Sequence, residues 1–192
     1  MTDIATIFDE HARVVAEAAA QLPATLAQVA IEVHDCFERG HKLLACGNGG
    51  SAADAEHLVA ELVGRYRDER RGLPAIALVA GSATVTALAN DYGYERVFSR
   101  QVEALAQAGD VFFGISTSGK SPNVVAAAHA ARSLGCRVVA LTGAADGPLA
   151  LLADIVIAAP SVTTARIQEV HALCIHALCE SVDGLLRGES VR

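Results

Sequence analysis

The stretch Leu43-Leu44-Ala45-Cys46-Gly47-Asn48-Gly49-Gly50-Ser51 decides the fold. Four apolar residues run into a glycine-rich turn, and a helix-like run follows over Ser51–Arg65. A buried strand that ends in a tight turn and hands over to a helix is the opening unit of a parallel α/β layer. The rest of the chain repeats that grammar. Strand-like runs are predicted at Leu43–Cys46, Ala75–Val79, Val111–Ile115, Arg137–Leu141 and Ile155–Ala158. They are continuous aliphatic runs, as suits strands buried on both faces. Helix-like runs are predicted between them at Thr84–Asn90, Arg96–Ala108, Ser121–Leu134 and Gly147–Leu152, with a last one over Thr163–Leu186. Upstream, Ile4–Leu22 and Leu26–Glu38 carry apolar residues at helical spacing, separated by Pro23. The expectation is an α/β protein: a doubly wound, five-stranded parallel sheet flanked by helices, with an N-terminal helical extension. Residues 1–192 read as a single domain, with 1–40 as the helical segment.

Composition narrows the function. Of 192 residues, 52% are apolar and none is Trp, so aliphatic packing must build the core. The net charge of −7 argues against a nucleic-acid partner, and an anionic ligand must be held locally by N–H groups and hydroxyls. The five cysteines fall in apolar runs without a CxxC and read as buried free thiols in a reducing cytosol. The acidic N-terminus lacks a signal-peptide core, and no run is clean enough to span a bilayer. A cytoplasmic protein with no membrane partner is expected.

Two loops read as phosphate cradles at the carboxyl ends of strands, where ligands gather in such sheets. In the first, Gly47, Gly49 and Gly50 let the backbone turn and approach a ligand, and the helix start supplies free N–H groups. Ser51 is expected as its N-cap, with Asp54 as capping-box partner. The second, Ser116-Thr117-Ser118-Gly119-Lys120-Ser121, offers four hydroxyls, and Ser121 is placed to cap a helix whose first residue is Pro122. Gly114 and Gly119-Lys120-Ser121 also match a nucleotide P-loop literally. The neighbouring strands run into Ala80-Gly81 and Thr142-Gly143, with no acid to hold magnesium, which argues against a nucleotidase.

His57 and Glu61 stand four apart on the helix after the first loop and share a face suited to a divalent ion. The last helix offers Gln168, His171 and His176. Gln168 and His176 are roughly 12 Å apart along one axis, which strains a shared ion and leaves two possibilities: reach from opposite ends, or a ligand from a neighbouring subunit.

The string from Cys46 to His57, followed by Ala60-Glu61-Leu62-Val63-Gly64-Arg65, closely resembles the phosphoheptose isomerases, a family of sugar-isomerase-domain proteins. Further matches are Ala89-Asn90-Asp91-Tyr92, Ile115-Ser116-Thr117-Ser118-Gly119 and Ala165-Arg166-Ile167-Gln168-Glu169-Val170-His171, in order over nearly the whole chain. The resemblance implies a cytoplasmic homotetramer interconverting sedoheptulose 7-phosphate and D-glycero-D-manno-heptose 7-phosphate toward lipopolysaccharide or related glycans. It implies one zinc per subunit on His57, Glu61, Gln168 and His176. It also implies substrate contacts from Asn48, Gly49, Gly50, Ser51, His57, Glu61, Asn90, Asp91, Ser116, Thr117, Ser118, Ser121 and Gln168. Lys120 stands where relatives often carry Asn. The N-terminal helices are compatible with use in oligomerisation. Aldose–ketose isomerisation needs a base and a second proton-transfer group near the carbonyl, and Glu61 and His176 are the expected pair. Two rivals stay open: a non-catalytic paralogue that binds the replication initiator or senses a sugar phosphate, and an isomerase for a pentose or hexose phosphate.

Overall fold

The computed structural model describes residues 3–191, so the outermost ends of the 1–192 span and of the 1–40 segment fall outside it. Helices α1 (Ile4–Gln21) and α2 (Pro23–Glu38) precede β1 (Leu43–Cys46) and α3 (Gly50–Val63). Then come β2 (Ala75–Ala77), α4 (Ser82–Tyr92), a 3-10 turn at Tyr94–Arg96, α5 (Ser99–Leu105), β3 (Val111–Ser116) and α6 (Pro122–Ser133). The chain closes with β4 (Arg137–Thr142), α7 (Pro148–Leu152), β5 (Ile155–Ala158) and α8 (Thr164–Leu186).

The five strands form one parallel sheet in the order β2-β1-β3-β4-β5. This is the expected doubly wound α/β architecture. The order turns back at β1, so β1 and β3 are neighbours although α3, β2, α4 and α5 lie between them in the chain. A crevice at the carboxyl ends of such a strand pair is the general ligand position of doubly wound sheets. Alternate strand residues feed opposite layers. Leu43, Ala45, Val111, Phe113, Ile115 and Leu141 pack under α1, α2, α3 and α8. Leu44, Cys46, Phe112, Val138 and Ala140 pack under the α5–α6 side. The period of two along a strand makes one sequence serve both layers.

Three local expectations are corrected. Pro23 does not merely separate two helices. It is the first residue of α2, where its missing N–H costs nothing, and the chain bends by 64° there. The run expected to 79 leaves the sheet at Ala77, where Ala80 N donates to Ala77 O. The helix expected over 96–108 is a 3-10 turn followed by the shorter α5. α1 is held on α8 by Arg166. That buried guanidinium donates to Ile7 O at 3.2 Å and Glu10 at 3.3 Å and pairs with Glu169, which also meets His11 at 2.7 Å.

At the amino end of the same strand pair, Asp110 is buried and fully engaged. It accepts from Lys42 N at 3.1 Å, Lys42 Nζ at 2.6 Å and Gln107 N at 2.8 Å. All five cysteines are buried and free. Burial pushes every thiol up, Cys36 and Cys136 to about 11 and Cys174 and Cys179 to about 12, so they are inert packing groups. Among the described residues no single helix is long and apolar enough to cross a membrane.

Candidate active site

The two loops singled out in the sequence follow β1 and β3 and therefore flank the switch point of the sheet. Their construction differs. The first turns on Gly49, whose φ of +55° lies in the left-handed region that favours glycine. Gly49 is also the residue that caps α3, so the helix starts at Gly50, one residue earlier than expected. Ser51 is a buried first-turn residue, not the N-cap. The capping box does not form either. Asp54 stays half-buried with Oδ2 unpartnered, and burial raises its carboxyl to about 6, with nearby His57 opposing. Gly47 is crowded: a Cβ there would meet Ser51 O at 2.3 Å.

The second loop is held by its own hydroxyls. Ser116 Oγ and Ser121 Oγ are 2.9 Å apart, and Ser118 Oγ accepts from Lys120 N at 3.2 Å. Ser121 does cap α6 by position, with Pro122 as first residue, but its side chain makes no capping bond because it is turned to Ser116. Lys120 is exposed. Gly143 N donates to Thr117 O at 3.0 Å, which backs this loop against the end of β4.

His57, Glu61 and His176 come together between α3 and α8. His57 Nε2 lies 3.3 Å from Glu61 Oε1 and 3.3 Å from His176 Nε2. The imidazoles meet edge to face with centroids 4.9 Å apart, and the Tyr66 ring lies 5.9 Å from that of His176. Two donor atoms on one tetrahedral ion with bonds of ~2.0–2.1 Å are separated by about 3.4 Å. Both measured separations match that edge, and the donor set suits a divalent metal. His57 is the hub. Among the described residues no three such side chains are already drawn round one centre.

Gln168 is not in that cluster. Its amide lies against Gly50, where a Cβ would meet Nε2 at 2.4 Å. The two helices thus run in parallel, with Gly50 level with Gln168 and His57 level with His176. The levels are about 10 Å apart along the axes. His171 is fully buried and its two ring nitrogens have no partner, so it is no ligand candidate. Asn90 and Asp91 are exposed at the end of α4, where Asn90 Nδ2 donates to Asp91 Oδ1 at 2.8 Å.

Sequence reasoning missed two residues of this crevice. Tyr94 donates its hydroxyl to Asn48 Oδ1 at 3.0 Å. Asn123, in the first turn of α6, forms two reciprocal amide bonds with Asn48, each 2.9 Å. Neither position carries a local signal: a tyrosine after a glycine and an asparagine in a helix's first turn both read as surface.

With this geometry in hand, comparison with known proteins is decisive. The SIS domain family model matches residues 7–143. A phosphoheptose isomerase of Pelobacter propionicus is 52% identical over 168 residues, covering 88% of this chain and 89% of its own. One from Geotalea daltonii is 49% identical over 187 residues, 97% of either chain. The chain belongs to the phosphoheptose isomerase family. It is an isomerase enzyme. The solved phosphoheptose isomerase of Francisella tularensis has the same fold, with a TM-score of 0.91 at 40% identity over 95% of this chain and 99% of that one. The SIS domain model spans both loops, His57 and Glu61 but ends before α8. The Geotalea alignment, at 97% of the chain, leaves room for few residues outside it, so the family likeness takes in α8 with Gln168 and His176.

Proposed function

We propose that this isomerase interconverts sedoheptulose 7-phosphate and D-glycero-D-manno-heptose 7-phosphate. The observation that carries the reading is that His57 meets both Glu61 and His176 at 3.3 Å, with His57 and Glu61 on a helix that begins at a glycine loop and His176 on α8. A base, a second proton-transfer group and an anion cradle are what an aldose–ketose shift of a phosphorylated sugar requires.

In this account the ester is held by Ser116, Thr117, Ser118 and Ser121. Their hydroxyls and N–H groups bind an anion without a cationic field. Asn48, Gly49, Gly50 and Ser51 shape the neighbouring wall, and Asn90 and Asp91 contribute sugar contacts. Fixing the ester orients the far end of the chain, so binding remote from the chemistry lowers its barrier. Glu61 takes the proton from one carbon of the pair, and His176 handles the opposite transfer at the oxygen. His57 holds both in register. His57, Glu61 and His176 would hold one zinc per subunit, with Gln168 as the fourth donor. When bound it polarises the carbonyl and steadies the negative charge that develops. Completing that donor set across a subunit contact fits a homotetramer, and the enzyme works in the cytoplasm.

The test is incubation with sedoheptulose 7-phosphate, with chelator and with zinc restored, read by product identification. Heptose 7-phosphate forms, stops with chelator and resumes with zinc. Glu61→Gln lowers kcat by about 10²–10⁴-fold while inorganic phosphate still binds. Ligand binding with no turnover by the zinc-loaded protein sinks the enzymatic reading. Undiminished turnover in chelator sinks the zinc assignment.

A further inference from the structure

The crevice is closed at one side by an amide pair of which the proposed reaction uses only Asn48. Asn48 Nδ2 donates to Asn123 Oδ1 and Asn123 Nδ2 donates back to Asn48 Oδ1, both at 2.9 Å. Asn123 Oδ1 also accepts from Val124 N at 3.0 Å, and Asn48 Oδ1 accepts from the Tyr94 hydroxyl at 3.0 Å. Asn123 is only 2% exposed, so its fork is fixed by packing as well as by bonding. Asn48 is left with one free N–H for a ligand. A cavity of about 240 Å³ lies beside the pair, bounded by Tyr94, Glu95, Ser121 and Pro122.

What the pair joins gives it meaning. Asn48 follows β1 and leads within two residues into α3, which carries His57 and Glu61. Asn123 follows β3 and lies two residues after Ser121 of the hydroxyl loop. Tyr94 arrives from the segment after α4. The sheet order β2-β1-β3 makes these three loops neighbours, and all three close on one carboxamide. Among the described residues no backbone hydrogen bond links the first loop to the second.

We propose that Asn123 is a positioning residue. Through Asn48 it sets the distance between the loop that holds the ester and the helix that carries the reacting groups. The inference rests on the phosphosugar isomerase reading. Only a carboxamide can donate and accept through the same planar fork, so no other residue type of this volume does the job. Leucine at 123 fills the space and makes neither bond. Aspartate accepts from Asn48 and Val124 but cannot donate back.

The experiment measures kcat on sedoheptulose 7-phosphate and the competitive inhibition constant of inorganic phosphate. It uses wild type, N123L, N123D, N48A, N123A and the N48A/N123A double variant. Phosphate alone needs only its own loop, whereas turnover needs both. N123L and N123D are therefore expected to lose about 10- to 100-fold in kcat, with phosphate inhibition within about twofold of wild type. The double variant is no slower than N48A, because both singles remove the same pair. If N123L does not fold, N123D reads the same quantity. A purely structural role lowers the melting midpoint and leaves both constants untouched. That outcome overturns the inference, as does kcat and phosphate affinity falling in step, or additive losses in the double variant. Wild type that turns over no heptose phosphate overturns the isomerase reading and this inference with it. Active wild type with indifferent Asn123 variants overturns this inference alone.

Discussion

The β1–β3 pair has two ends, and they are built to opposite rules. At the amino end the buried carboxylate is spent: Asp110 takes three donors, from Lys42 and Gln107. At the carboxyl end polar capacity is left over. Asn48 keeps a free N–H, and Asp54 Oδ2 has no partner. Buried polar groups are ordinarily paired, so such exceptions ask for a reason. One rim of the sheet holds the fold together, and on the proposed function the other has given up pairing to receive a ligand.

The largest expected effect breaks the amino end. Asp110→Ala strands the Lys42 ammonium and two backbone N–H groups, and should cost about 3 kcal/mol. For a chain of this size that is a fall of roughly 6–12 °C in melting midpoint. Below the midpoint, kcat and KM should match wild type. A variant that loses activity while fully folded would show that the two rims are not separable.

The next tests the buried imidazole at the other rim. His171 lies against the Thr142 backbone, and burial depresses its pKa to about 4 from an ordinary 6.5, with Thr142 opposing. The unfolded chain protonates first. Stability attributable to His171 is therefore complete above about pH 6.5 and falls by about 3 kcal/mol as pH drops toward 4, below which both states carry the proton. Denaturant unfolding of wild type and His171→Gln at several pH values isolates the effect. The difference between them should shrink across that window. A difference independent of pH means that the ring finds a partner when charged.

How much of this was legible beforehand follows from where the information resides. Strand runs announce themselves by composition, and two of the five, Leu43–Cys46 and Ile155–Ala158, have the boundaries read from sequence. Glycine and serine clusters announce loops. Strand order does not announce itself, because the neighbourhood of β1 and β3 is a property of crossovers and not of either segment. The start of α3 was misread because Ser51 is a good capping residue by type, whereas Gly49 caps by its backbone conformation. His57 and Glu61 were visible as a local spacing. His176 was tied to them only by resemblance, since α3 and α8 are more than a hundred residues apart and meet through tertiary packing. Asn123 was invisible for the same reason and without a resemblance to stand in.

A smaller effect separates stability from function within the carboxyl end itself. Alanine at Gly50 requires no unusual backbone angle, since Gly50 is absent from the positive-φ glycines. Its Cβ would meet the Gln168 amide at 2.4 Å, and that flexible end can turn aside. Alanine is also the better helix former, by up to about 1 kcal/mol. Gly50→Ala should therefore leave the melting midpoint unchanged or raised while lowering kcat by about tenfold through displaced Gln168. Unaltered kinetics would remove Gln168 from the site.

The smallest effect asks whether the hydroxyl loop binds by the sum of many weak donors. Ser121 Oγ is one of four hydroxyls there and is already 2.9 Å from Ser116 Oγ. Removing one neutral donor among several costs about 1 kcal/mol. Ser121→Ala should raise KM for the phosphorylated sugar about fivefold and weaken inorganic phosphate equally, with kcat within about twofold, because the lost contact is made alike in ground and transition states. That pattern is the reverse of the one expected for Asn123, which lies two residues further along the same chain segment. If Ser121→Ala lowers kcat and spares phosphate binding, the hydroxyl loop is not where the ester is held, and the division of labour between the two loops has to be exchanged.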